Sequence, residues 1–266
     1  HHLSIGLETF SSVDIKKAGL YKYVQSPDFQ ILLFAYSLDG APVEVVDLAG
    51  SEALPYWMRD ALLSATFTKH AHNAAFEWYC LSKYLKLTPD ESRAWLRQWQ
   101  CTMIQALYCG YPASLDVVGK ALGLPEDKQK DRSGKALIKY FCQPCAATKT
   151  NGGRRRNLPE HEPEKWALFK EYCRQDVITE KTVSLRFSGH RVPKSVWQEW
   201  RTSTWMDARG VAVDTELVFR AIRCDQTESD RLTDEAKELT GLRNPNSGAQ
   251  LLPWLKAHGL DIDNLR

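Results

Sequence analysis

No apolar run in this 266-residue chain approaches the length of a membrane span, and mean hydropathy is −0.41. The expectation is a protein without membrane-spanning helices and without a membrane partner. A charged-then-apolar leader is also lacking, since His1-His2-Leu3-Ser4-Ile5 runs directly into a strand-like segment. That predicts a soluble, cytoplasmic protein, with no role given to the two leading histidines. Charge of one sign is lacking too: the net value is +2, so composition does not force a nucleic-acid partner. The seven cysteines are odd in number and scattered, which argues for reduced thiols and against a disulfide framework. Cys142-Gln-Pro-Cys145 has metal-ligand spacing, but no second such pair follows. Zinc there would need Cys173 and His161 to complete it, and a lone pair is a weak signal. Internal repeats and low-complexity tracts are absent.

What is present supports a folded α/β domain, for 43% of the residues are hydrophobic. Leu3–Leu7, Gln30–Leu38 and Pro42–Leu48 read as strands, the last two joined as a hairpin by Asp39-Gly40. Helices are predicted over Leu54–Leu63, Thr102–Tyr108, Leu115–Leu122 and Gly134–Phe141. A short strand at Phe67–Ala71 precedes Asn73, placed to cap a helix that runs to Tyr84. After a basic, Gly-rich loop at 143–158, the pattern is helical from Glu160 to Leu185. Alternating strands and helices after a hairpin predict a mixed sheet flanked by helices. The composition shifts near residue 190. A Trp-rich helix, an apolar strand at Val211–Val213, a charged helix over Asp214–Leu239 and a last helix to His258 follow. The expected division is 1–190 and 191–266.

Three short constellations carry chemistry. Glu8 ends the first strand, with Gly6 on the same face. Glu77 lies four residues after Asn73 in a first helical turn, and Asp176 lies four after Tyr172 on one helix face. Each has a plain structural reading: a strand-end charge, an N-cap, a first-turn acid, an amphipathic neighbour pair. Carboxylates from separate elements that meet at one sheet end also suit two divalent ions about 3.5–4 Å apart, which need several hard oxygen ligands. A tyrosine one turn from such a carboxylate can orient the attacking water. The loop around Arg154, Arg155 and Arg156, with Lys128, Lys130 and Arg132 upstream, offers cations to phosphates.

Ile5-Gly6-Leu7-Glu8-Thr9-Phe10 resembles the first motif of the DEDD nucleases, Asn73-Ala74-Ala75-Phe76-Glu77 the second, and Tyr172-Cys173-Arg174-Gln175-Asp176 the third motif of the tyrosine subclass. Asp207–Asp214 and Asn244–Leu251 resemble the opening of the polymerase region and the thumb motif of family A DNA polymerases, in the form met in phages and prophages. The resemblance implies an RNase H-like exonuclease domain followed by a helical thumb fragment, without the polymerase carboxylates. It implies metal-dependent removal of nucleotides from a single-stranded DNA 3′ end by two Mg²⁺ or Mn²⁺ ions. Glu8, Glu77 and Asp176 would be the ligands, Tyr172 would position water, and Thr9, Asn73 and Phe76 would bind substrate. The rest of a polymerase chain would be its partner.

Two positions depart from the family pattern. Glu77 stands where aspartate is usual, which keeps a carboxylate with altered reach. Gly6 stands where the bridging aspartate belongs and brings no ligand, which predicts weak or no activity. Gly6 has two explanations at this stage, a substitution made to spare substrate or a natural feature of a domain kept for binding. Survival of Glu8, Tyr172 and Asp176 favours the first. Two other functions stand beside the proofreading one: a non-catalytic, single-strand-binding or structural module of a polymerase, and an RNA-processing DEDD exonuclease.

Overall fold

A computed structural model describes every residue except Ser51, 126–133 and Arg266, so Lys128, Lys130 and Arg132 lie outside the described residues. The strands are β1 (His2–Phe10), β2 (Gln30–Leu38), β3 (Glu44–Asp47), β4 (Thr68–Ala71) and β5 (Trp99–Cys101). The helices are α1 (Ile15–Gln25), α2 (Met58–Leu63), α3 (Ala75–Tyr84), α4 (Pro89–Trp95), α5 (Thr102–Tyr108) and α6 (Leu115–Ala121). They continue with α7 (Gly134–Phe141), α8 (Pro163–Arg186), α9 (Lys194–Arg209), α10 (Thr215–Thr240) and α11 (Gly248–Ala257). One mixed sheet has the order β3-β2-β1-β4-β5. β2 runs against both β1 and β3, whereas β1, β4 and β5 are parallel. Helices flank this sheet, as the alternation of strands and helices implied, and the C-terminal region is helical.

Period-two alternation sorts β2 onto two cores. Phe34 and Tyr36 join a cluster with Leu3, Ile5, Leu7, Trp78 and Trp99, while Leu33 and Ala35 join another with Phe169, Tyr172 and Val177 of α8. Ser4, Gly6 and Glu8 alternate with Leu3, Ile5 and Leu7 and therefore face α8. The alternation continues to Phe10, which joins the α8 side, although the pairing with β2 shifts register between Glu8 and Thr9. The Asp39-Gly40 hairpin forms as expected, with φ of 47° and 85°.

Some expectations need correction. Val211–Val213 is not a strand, and Val211 is 87% exposed. Asn73 does not cap α3. Ala74 holds that position, and Asn73 instead adopts a left-handed φ of 68°, a conformation asparagine tolerates. α1, α4 and β5 were not expected. His2, given no role, belongs to β1, and its Nδ1 lies 2.8 Å from His70 Nε2.

The described chain forms two compact units, His1–Arg209 and Gly210–Arg266. α9 belongs to the first, where Trp197, Trp200 and Trp205 pack against the core. In the second, Asp214 caps α10 by accepting from Leu217 N at 3.0 Å, and Gly241 ends it at a φ of 67°. Among the described residues no helix is long and apolar enough to cross a membrane.

Candidate active site

The parallel strands β1 and β4 end on the same side of the sheet, and the acidic residues gather there. Glu8 comes from β1, Glu77 from the first turn of α3 just after β4, and Asp176 from the middle of α8. All three line a cavity of about 450 Å³ together with Gly6 and Asn73. A neighbouring cavity of about 670 Å³ shares Glu8 and Asp176 and adds Thr9, Tyr23, Phe76 and Tyr172. The structure thus brings together the expected carboxylates, the tyrosine and three of the six residues expected to bind substrate, Thr9, Asn73 and Phe76.

Burial and mutual repulsion dominate the electrostatics. Glu77 is 7% exposed, and burial pushes its carboxyl well above the usual range. The charges of Glu180, Glu8 and Asp176 add to that shift. Tyr172 is raised by burial first, then by the charges of Asp176 and Glu8, and its hydroxyl is hydrogen-bonded to Asp176. It is therefore a protonated donor at neutral pH. Its ring stacks on Phe169 with centroids 6.1 Å apart and planes 8° apart, which fixes the hydroxyl's direction. In the adjoining cavity Thr9 Oγ1 lies 2.7 Å from Tyr23 Oη, and Phe76 packs 6.4 Å from the Tyr23 ring.

Glu180 escaped the sequence reading. It follows Asp176 by one turn of α8, is 2% exposed, and lines the same cavity as Glu8 and Glu77. Thr102 and Ser4 donate to it, and burial raises its carboxyl. The signal for it was present as a fourth acid at helical spacing on the motif face, but Thr102 and Ser4 are distant in sequence and mark it only once the chain is folded.

The arginine loop is divided in its roles. Arg154 Nε donates to Asn157 Oδ1 at 2.9 Å, and Arg156 donates to Gln30 Oε1 at 2.6 Å while lying 3.9 Å over the Phe10 ring. Arg155 is exposed. None of the three lines either carboxylate cavity. Cys142 and Cys145 serve different neighbours: the first donates weakly to Glu8 at 3.8 Å, the second to Arg154 O at 3.5 Å.

Divalent ions fit the chemistry of this donor set. Glu77 Oε2 and Glu180 Oε2 are buried without a hydrogen-bond donor, and the neighbouring carboxylates raise Glu77 in the absence of a cation. Hard carboxylate oxygens are what Mg²⁺ and Mn²⁺ take, and Mg²⁺ commonly uses one or two with water and substrate phosphate. Among the described residues no group of three His, Cys, Asp or Glu side chains is already close enough to hold one ion. Gly6 lines the same cavity and offers no side chain. A Cβ there would lie 2.7 Å from Val177 Cγ2 on α8, so the helix fills the space that an acid at this position would enter.

Comparison with known proteins gives one extended sequence match. A DNA polymerase of Bacillus phage SP02 is 49% identical over 263 residues, which is 99% of this chain and 40% of the relative. The chain thus spans about two fifths of the length of that polymerase. No family model matches. Among solved structures, the RNase D–GMP complex of Trypanosoma brucei is 18% identical over 80% of this chain and 59% of its own, with a TM-score of 0.44. A nuclease in its apo form is 13% identical over 77% of this chain and 80% of its own, with a TM-score of 0.38. The chain is therefore a homologue of part of a DNA polymerase.

Proposed function

We propose that this chain is the 3′–5′ exonuclease region of a family A DNA polymerase, of the DEDD tyrosine subclass, followed by the start of its thumb. It acts in the cytoplasm on the 3′ end of single-stranded DNA, and Gly6 impairs it. One observation carries the reading: Glu8, Glu77, Asp176 and Tyr172 come from three separate elements to adjoining cavities at one end of the sheet. The similarity to a phage DNA polymerase supports it.

Glu8, Glu77 and Asp176 would hold the divalent ions. When bound, such ions supply charge to activate water and to stabilise the leaving 3′ oxygen. Tyr172 keeps its proton and can donate to Asp176 or to the attacking water. Thr9, Tyr23 and Phe76 form the wall against which the terminal nucleotides lie, and Asn73 shapes the turn that delivers Glu77. Arg155, exposed on its loop, meets the phosphates of the departing strand.

A second reading, a strand-binding module without hydrolysis, draws support from the methyl of Val177 in the space beside Gly6. One experiment separates the two. A 5′-labelled DNA strand is incubated with Mg²⁺ or Mn²⁺ and the parent chain, Gly6→Asp, Val177→Ala, or both changes together. The nuclease reading expects a ladder of 3′-shortened products from the double variant, less from Gly6→Asp, and least from the parent. Strand binding with no shortening by any of the four would hand the function to the binding module.

A further inference from the structure

A second charged cavity lies on the first unit, away from the carboxylates. α9 carries Trp197, Arg201 and Trp205 at successive fourth positions, hence on one face, with Lys194 one turn before. Opposite them stand Arg93, near the end of α4, and Arg97, four residues on. These six residues line a groove of about 640 Å³, and no lining residue is acidic.

Four cations around one groove repel each other, and a chain of net charge +2 has enough acids to interleave. It does so elsewhere: Arg231 on α10 pairs with both Glu228 and Glu235. In the groove it does not. Arg201 is half-buried, gives one Nη2 contact to Trp99 O at 3.4 Å, and leaves its Nε buried with no acceptor. Arg93 lies 5.5 Å from the Trp205 ring, as a guanidinium held against an indole. Cations lining a channel, interleaved with aromatic rings, are what a single nucleic-acid strand uses. Phosphates neutralise the cations, and bases or sugars lie on the ring faces. An acidic protein segment would satisfy the charges but has no need of the indoles.

The position in the fold separates this groove from the proposed catalytic site. Trp99, which accepts from Arg201, is the first residue of β5, and β5 runs parallel to β4 and β1. The groove therefore flanks the end where β5 starts, while the carboxylates gather where β1 and β4 finish. We propose that the groove between α4 and α9 is a second nucleic-acid site, which holds the sugar–phosphate backbone of a strand by Arg93, Arg97, Lys194 and Arg201. The choice of nucleic acid over other polyanions rests on the polymerase reading above.

The test is binding of a fluorescent oligothymidylate to the intact chain in EDTA, followed by anisotropy across a salt series. Arg93 and Arg97 are exposed, so Arg93→Gln with Arg97→Gln should fold normally, which a melting curve checks. Losing two phosphate contacts should weaken binding about tenfold and flatten the log–log salt slope by about 1.4. Arg93→Glu with Arg97→Glu should weaken it further. Lys165→Gln, on α8 and lining neither the groove nor the carboxylate cavities, should leave the slope unchanged. Unchanged affinity and slope in both groove variants would overturn the proposal. So would groove-dependent binding of polyglutamate in preference to the oligonucleotide. If the groove variants lose binding while no variant of the chain hydrolyses DNA, the groove stands and the nuclease reading falls.

Discussion

Glu77 and Glu180 each leave one carboxyl oxygen in the interior without a donor; burial raises both, and the charge of Glu180 raises Glu77 further. Both are raised above the ordinary carboxylate value of 4.5. A raised group contributes stability that is fully present below its unfolded value and lost as pH climbs through its folded one. The chain without metal should therefore lose stability as pH rises above 4.5. Glu77→Gln should flatten that decline and, near pH 8 in EDTA, raise the melting temperature by about 2–6 °C, for a gain of roughly 1–2 kcal/mol. If the carboxylates hold metal as proposed, Mn²⁺ should stabilise the parent and Glu77→Gln should abolish that gain. Melting curves with and without Mn²⁺ across pH decide it, and a parent-like pH profile for Glu77→Gln would sink the account. Glu8, Asp176 and Tyr172 were legible as candidates because their short motifs resemble those of a nuclease family, in the strand and helix positions that chemistry needs. Glu180 was not, for its partners Thr102 and Ser4 lie 78 and 176 residues away in sequence.

The meeting of α7 with α8 controls where Tyr172 points. Gly134, the first residue of α7, sits so close to the Tyr172 ring that a Cβ would fall 1.9 Å from Cε2 and 2.4 Å from Cζ. Glycine there lets the helix start directly on the tyrosine face. Gly134→Ala must push the ring or the helix aside, at a cost of about 1–3 kcal/mol. In the Gly6→Asp/Val177→Ala background it should slow nucleotide release about tenfold or more, on the scale of a lost proton-positioning group. Tyr172→Phe should do much the same, and the two changes together should be no worse than either. Additive losses would mean that Gly134 acts elsewhere. The elements that sequence made plain were those with a strong period or a turn signal, such as β2 and its Asp39-Gly40 hairpin. α1 was hidden because Gly19, at a φ of 79°, interrupts it and no apolar stripe runs along it. β5, three residues long, is too short to display alternation.

For the whole molecule, the division falls after Arg209, one helix later than the composition shift near residue 190. The tryptophans of α9 account for the difference, since they pack against the core that contains Trp95, Leu96 and Trp99. A run of tryptophans announces burial somewhere but does not say on which side of a boundary. A chain that ends after Arg209 should keep one cooperative unfolding transition within a few degrees of that of the first unit in the full chain. One that ends at residue 190 should melt below it, because the contacts of three partly buried tryptophans are lost, each worth less than the about 3–5 kcal/mol of a fully buried one. Equal melting temperatures for the two truncations would mean that α9 adds nothing to the first unit. The mixed sheet flanked by helices and the likeness to a DNA polymerase could be read from the sequence. The groove between α4 and α9 could not, because Arg97 and Arg201 are brought together only by the fold.

The contact of Val177 with Gly6 also bears on history. A lineage carrying this pair has no symmetrical path to an acid at residue 6. If the acid arrives first, it meets an overfilled interface; if the valine shrinks first, it leaves a small void that the core can tolerate. The order of substitutions, and not only their identity, decides whether an acid is accommodated at residue 6, so Gly6→Asp should cost less stability, read by melting temperature, in a chain that already carries Val177→Ala than in the parent.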